Sequence, residues 1–142
     1  MIDSDQYYTP PHFFEQLGLT FALDVAAPPG GVPWIPARRF FCEADDGLSQ
    51  PWRGRVWMNP PFSGPGPWVD KFLSHGNGIA LVVISKANWF RSLWHSDCDF
   101  AFPEAHTKFI RNGKPSGIMF PTVFVAAGDK CKAAIRRLGK TR

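Results

Sequence analysis

The sequence predicts an α/β fold built on a mainly parallel sheet flanked by short helices, and three observations predict it. Residues 79–84 are a continuous run of mostly branched apolar side chains, the pattern of a strand buried on both faces. Two other apolar segments, 21–25 and 55–58, carry a polar side chain at or just beyond their C-terminal ends, Asp24 and Asn59. Between them and the 79–84 run, Trp68, Val69, Phe72 and Leu73 repeat at helical spacing. Strands alternating with helices form a parallel sheet, and such sheets bind ligands beyond the C-terminal ends of their strands. At 142 residues, the chain fits one domain, 1–142, with one core.

Each element has its own signal. Thr9 before Pro10 and Pro11 reads as a helix start, with a capping hydroxyl and then proline where a missing N–H does no harm. Phe13, Phe14 and Leu17 give that helix an apolar face, and Gly18 can end it. The first strand is 21–25. Pro28, Pro29, Gly30, Gly31, Pro33 and Pro36 then exclude a long helix. A second strand over 39–42 leads into an acidic turn with Glu43, Asp45 and Asp46, closed by Gly47. The third strand, 55–58, runs into Asn59-Pro60-Pro61-Phe62. Gly64, Pro65, Gly66 and Pro67 make a loop before the Trp68 helix. A short helix over 89–94 and strands over 99–102, 107–110 and 122–126 follow. Cys131, Ala134, Ile135 and Leu138 then form one stripe of a C-terminal helix.

Composition bounds the function. Sixteen Lys and Arg against 12 Asp and Glu give a net charge of +4, which permits a polyanionic partner. Aromatic residues are plentiful, and any left exposed near the cations would suit base stacking. Cys42, Cys98 and Cys131 form no C-x-x-C pair and read as free thiols. His12, His75, His95 and His106 show no metal-ligand spacing, so no dedicated metal site is expected. No apolar run approaches the roughly 20 residues of a membrane span. The acidic start lacks a signal-peptide pattern. The expectation is a soluble cytoplasmic protein with no membrane partner.

Asn59-Pro60-Pro61-Phe62 carries the chemistry. An exocyclic amine conjugated to an aromatic ring is a poor nucleophile, because its lone pair is delocalised. Acceptors that hold both N–H groups out of plane free that pair. The Asn59 side-chain oxygen and the Pro60 carbonyl can be those acceptors. Pro60 and Pro61 fix two φ angles, so the carbonyls are aimed before binding. Phe62 offers a flat face for a base flipped out of its duplex. The same four residues also suit a rigid Pro-Pro turn with Phe62 in the core.

The chain resembles the phage-type DNA N6-adenine methyltransferases, the Dam-like group of bacteriophages and prophages. The resemblance runs through Tyr7-Tyr8-Thr9-Pro10-Pro11, Phe21-Ala22-Leu23-Asp24-Val25-Ala26-Ala27 and Asp46-Gly47-Leu48 with Trp52. It continues through Val56-Trp57-Met58-Asn59-Pro60-Pro61-Phe62, Trp68-Val69, Lys108-Phe109 and the 121–126 segment. It implies a Rossmann-like domain, S-adenosylmethionine (AdoMet) as methyl donor, DNA as partner and a bacterial host cytoplasm. It also implies roles. Thr9, Pro10, Asp24 and Ala26 hold the cofactor, and Asp45 or Asp46 accepts from its adenine amine. Asn59 borders both cofactor and target, and Asn59, Pro60, Pro61 and Phe62 hold the target base. Lys108 and Phe109 belong to the target site, although Phe109 suits core packing equally well. One departure is that Ala26-Ala27-Pro28-Pro29-Gly30-Gly31 stands where the wider methyltransferase pattern has G-x-G.

There is no room for a separate target-recognition domain, so the expected sequence preference is weak or short. Lys130, Lys132, Arg136, Arg137, Lys140 and Arg142 could contact phosphates or line a solvated helix. Arg38, Arg39, Arg53, Arg55, Lys86, Arg91, Lys108, Arg111 and Lys114 are further phosphate candidates. The alternatives are methyl transfer to an RNA base or a protein glutamine, and a degenerate nucleic-acid-binding domain that holds no cofactor.

Overall fold

The computed structural model describes residues 7–103, 108–111, 113–116, 121–138 and 140–141. His106, Thr107 and Arg142, named above, lie outside them. Helix α1 is Pro11–Leu17, and its N-cap is Pro10 rather than Thr9. Gly18, at φ 65°, closes it by donating its N–H to the Phe14 carbonyl at 3.1 Å. Strands β1 (Phe21–Asp24), β2 (Ala37–Phe40) and β3 (Val56–Met58) follow, with a 3-10 turn over Glu43–Asp45. Helix α2 (Gly66–His75) precedes β4 (Gly78–Val83), and α3 (Asn88–Trp94) precedes β5 (Asp99–Phe102). A hairpin of β6 (Phe109–Arg111) and β7 (Lys114–Ser116) leads to β8 (Thr122–Ala127). Helix α4 (Asp129–Ile135), a 3-10 turn over Arg136–Leu138 and the two-residue β9 (Lys140–Thr141) end the described chain.

The main sheet has seven strands in the order β2-β1-β3-β4-β8-β5-β9. β1 to β4 pair in parallel, and β8 lies antiparallel to both β4 and β5. β5 therefore shares the direction of β4, and the sheet is mainly parallel with β8 and β9 reversed. The 79–84 pattern identifies a doubly buried strand, and β4 is one: Ile79 and Leu81 face one apolar cluster while Ala80 and Val82 face the other. Helices α1 and α4 cover the first face through Phe13, Phe14, Leu17, Cys131, Ala134 and Ile135. Helices α2 and α3 cover the second through Val69, Phe72 and Leu93. This arrangement is compatible with a Rossmann-like fold.

Further expectations need correction. β2 begins two residues earlier than expected, because Ala37 pairs with Phe21 at the sheet edge. α2 begins at Gly66 rather than Trp68, since proline is tolerated in a first helical turn. The reversal of β8 was not foreseen. Neither was β7, which contains Pro115 and pairs only with β6.

The chain places β1 second from one edge of the sheet, with β2 outside it and β3 inside. The strand order reverses there, and a crevice forms at the C-terminal ends of β1 and β3. Asp24 ends β1 and Asn59 follows β3, on strands paired through Asp24 and Trp57.

Candidate active site

Asn59 is fixed from outside its own loop. Its Nδ2 donates to the Tyr7 carbonyl at 2.7 Å. A carbonyl can only accept, so this contact sets which amide atom faces Tyr7 and leaves Oδ1 as the acceptor of the pair. The Phe62 ring lies nearly parallel to the Tyr7 ring, at 9° with centroids 6.4 Å apart. Pro60 is buried and Pro61 half-buried, and the Gly64 N–H turns the loop back to the Pro61 carbonyl at 3.3 Å.

The N-terminal segment that supplies Tyr7 is itself pinned. Tyr8 and Ile110 exchange backbone hydrogen bonds, each 2.8 Å, which docks the β6–β7 hairpin beside the loop. The Arg111 guanidinium lies 5.2 Å from the Tyr7 ring centroid, and its Nη1 is 3.5 Å from the Tyr7 hydroxyl. Lys108 and Lys114 of the same hairpin segment are exposed. Phe109 is 3% exposed and packs in the core cluster that contains Phe13 and Phe124. Of the two readings of Phe109, core packing is the one observed.

Thr9 is the odd residue of the segment. Its carbonyl accepts from Trp34 Nε1 at 2.7 Å, yet its Oγ1 is buried and has no hydrogen-bond partner among the described residues. A buried hydroxyl without a partner costs about 1–3 kcal/mol. Pro10 is buried beside it. Asp24 is 3% exposed, and burial pushes its carboxyl up to about 7, against a weak opposing hydrogen bond from the Ala26 N–H at 3.4 Å. Burial, and then the Asp24 charge, also raise the Tyr8 phenol above its usual range.

Among the described residues, two cavities meet the end of β1. One, of about 240 Å³, is lined by Val25, Ala26, Ala27, Cys42, Glu43, Pro61, Ser63 and Trp68. The other, of about 220 Å³, holds Asp24 under the proline–glycine loop, where Gly30 and Gly31 adopt φ of 82° and 76°. Ala26 and Asp24 thus open onto different cavities.

Asp45 and Asp46 line neither cavity. The Asp45 carboxylate accepts from the Cys42 N–H at 2.9 Å and lies 3.3 Å from its Sγ, contacts that hold its carboxyl below the usual range. Asp46 sits at φ 53°, with its carbonyl receiving the Ser49 N–H and hydroxyl. Both residues take part in the turn's own hydrogen bonds. Gly47 shows why the turn is tight, since a Cβ there would stand 2.3 Å from the Val25 carbonyl. The Gly47 carbonyl takes the Trp52 Nε1–H at 2.8 Å, and Trp52 stacks near Trp68, which walls the cavity. The acidic side chain that reaches this cavity is Glu43.

A family model described as DNA N-6-adenine-methyltransferase (Dam) matches residues 2–129. The chain belongs to the Dam family. Neither the curated proteins nor the solved structures gave a match. Membership brings AdoMet as methyl donor and DNA as substrate at the level of the family. In this Dam-family chain the residues suit such a cofactor: an orphaned buried hydroxyl at Thr9, a buried carboxyl at Asp24, and an apolar cavity that carries Glu43 on its wall. Among the described residues no three His, Cys, Asp or Glu side chains converge, and no helix is long and apolar enough to cross a membrane.

Sequence reasoning gave Tyr7 no target-base role and Glu43 no cofactor role, and named Arg111 only as a phosphate candidate. Tyr7 had a signal, since it stands two residues before Thr9 in the same block. Glu43 had one too, as the first acid after β2.

Proposed function

We propose that this chain is a single-domain, Rossmann-like methyltransferase that takes the methyl group of AdoMet to adenine N6 in DNA, with weak or short sequence preference. One observation carries the reading. The Asn59 amide is held by the Tyr7 carbonyl so that Oδ1 remains to accept. That oxygen receives one N6–H and the Pro60 carbonyl the other, which draws the amine out of conjugation. Phe62 stacks on the extruded base, a contact worth about 1–3 kcal/mol. No general base is required at the attacking atom, because nitrogen becomes a stronger acid once methylated.

Bound AdoMet supplies an electrophilic methyl group on a positive sulfur. Asp24 meets the cationic end of that molecule, Thr9 Oγ1 gains a partner, and Glu43 accepts from ribose hydroxyls. An acid near the end of the second strand serves that purpose in nucleotide-binding sheets. Lys108 and Lys114 contact phosphates flanking the target.

The test is transfer of labelled methyl from AdoMet to unmethylated DNA, with RNA and protein acceptors run beside it. Label should appear on adenine N6, and Asn59→Ala should reduce it by at least about 10²-fold with secondary structure intact. Label on RNA or on a glutamine amide alone would move the assignment to that acceptor. Absence of both transfer and calorimetric AdoMet binding would favour a non-catalytic DNA-binding domain.

A further inference from the structure

We infer that Tyr7 is a second target-base residue, its ring set parallel to Phe62 to contact the extruded adenine, and that Arg111 holds it in place. The inference rests on the adenine reading of the Asn59 loop and adds a residue from a different part of the chain.

Three contacts converge on Tyr7. Its carbonyl orients the Asn59 amide. Its ring is within 9° of parallel to the Phe62 ring. The Arg111 guanidinium lies over its ring and reaches towards its hydroxyl. A purine is broad enough to touch both rings when their centroids stand 6.4 Å apart. If the purpose of the pair were core packing, the rings would be buried, as Phe109 and Trp57 are. Tyr7 and Phe62 are instead both half-buried at the mouth of the crevice.

Parallel rings left half-buried at a crevice mouth keep part of their faces available to a flat ligand. Every base has a π-face, so such a contact adds affinity without adding sequence preference. Arg111 completes the arrangement. It belongs to a hairpin with two further exposed cations, Lys108 and Lys114, and that hairpin is tied to the neighbouring Tyr8 backbone. A duplex that engages these cations presses on the strand that carries Arg111, and Arg111 passes the constraint to Tyr7. Tyr7 thus contacts the base, and Arg111 acts as a positioning residue.

The experiment uses the full chain, AdoMet and a duplex with 2-aminopurine at the target adenine, whose emission rises when the base leaves the stack. Steady-state methyl transfer to the unmodified duplex is measured in parallel. Tyr7→Leu, which keeps bulk but removes the aromatic face, should lower kcat/KM by about 10- to 100-fold. It should also abolish most of the emission rise and leave calorimetric AdoMet affinity within about threefold of wild type. Tyr7→Phe should restore both signals, because stacking needs the ring and not the hydroxyl. Arg111→Ala should give a smaller loss of emission, with KM for DNA rising more than kcat falls. Wild-type emission and transfer in Tyr7→Leu would overturn the inference alone. So would a Tyr7→Leu defect confined to AdoMet binding. A wild-type protein that binds AdoMet and methylates no adenine would overturn the adenine reading together with it.

Discussion

The two ends of the sheet treat their polar groups differently. At the end where β1 and β3 finish lie a buried hydroxyl at Thr9 without a partner among the described residues and a buried carboxyl at Asp24 that accepts only a long 3.4 Å bond from the Ala26 N–H. At the other end, β8 finishes beside the start of β4, with Ala127 opposite Gly78, and α4 begins there. Three of its cations have partners. Lys132 lies 3.6 Å from Asp97, Arg136 lies 4.0 Å from Asp99, and Arg137 donates to the Leu17 carbonyl at 2.8 Å. A fold satisfies its polar groups unless a ligand is to do so. The C-terminal helix has the denser run of positive charge in the sequence, yet the proposed function puts the duplex at the hairpin beside the crevice.

The largest expected effect that would sharpen this contrast is at Asp24. Its folded-state value near 7 lies above the ordinary 3.8, so the folded protein holds this proton more tightly than the unfolded chain does. The contribution to stability is full below about pH 4 and is lost as pH rises towards 7. Asp24→Asn should remove that slope and stabilise the cofactor-free protein at pH 8 by roughly 1–3 kcal/mol. A cationic ligand favours the ionised form, so wild-type AdoMet affinity should climb as pH rises to about 7, by up to about tenfold per unit. Calorimetry across that range checks it, and equal pH profiles for wild type and Asp24→Asn would remove Asp24 from the cofactor site.

A smaller effect compares the two sets of cations directly. Lys108→Ala and Lys114→Ala should each reduce the salt dependence of DNA binding by about 0.9 in the log–log slope. Lys130→Ala and Lys132→Ala should leave that slope unchanged. The reverse result would place the duplex at the α4 end and break the comparison. The smallest effect is on stability: losing the exposed Lys132–Asp97 pair should cost no more than about 1 kcal/mol in chemical denaturation.

Much of this was legible in the sequence wherever one residue type had one physical use. The 79–84 run could only be a buried strand, and a strand running into Asn59-Pro60-Pro61-Phe62 put that loop at a strand end. Phe13, Phe14 and Leu17 marked the buried face of α1. The misses came where local chemistry offered two uses and tertiary contacts chose. Thr9 could cap α1 or point inward, and Pro10 took the cap. Asp45 could bind a ligand or close its own turn, and one of its carboxylate oxygens takes the Cys42 N–H. Phe109 could stack on a base or fill the core, and it is buried. The strand reversal at β8 and the role of Tyr7 depend on partners far along the chain, which no local pattern reports.

That distance has a kinetic side. The bond that orients Asn59 closes a separation of 52 residues, and the Arg111–Tyr7 contact closes one of 104. Contacts between remote segments carry a larger loop-closure cost than those within one helix or hairpin. Growing from the ribosome, the chain cannot complete the Tyr7 corner until Arg111 has emerged. Tyr7, Asn59, Phe62 and Arg111 are all only half-buried, so their contacts should open in rising denaturant before the sheet's buried core does. Methyl transfer should therefore fade at a lower urea concentration than helical circular dichroism, so that catalysis reports the joining of the chain's two distant segments rather than the presence of its core.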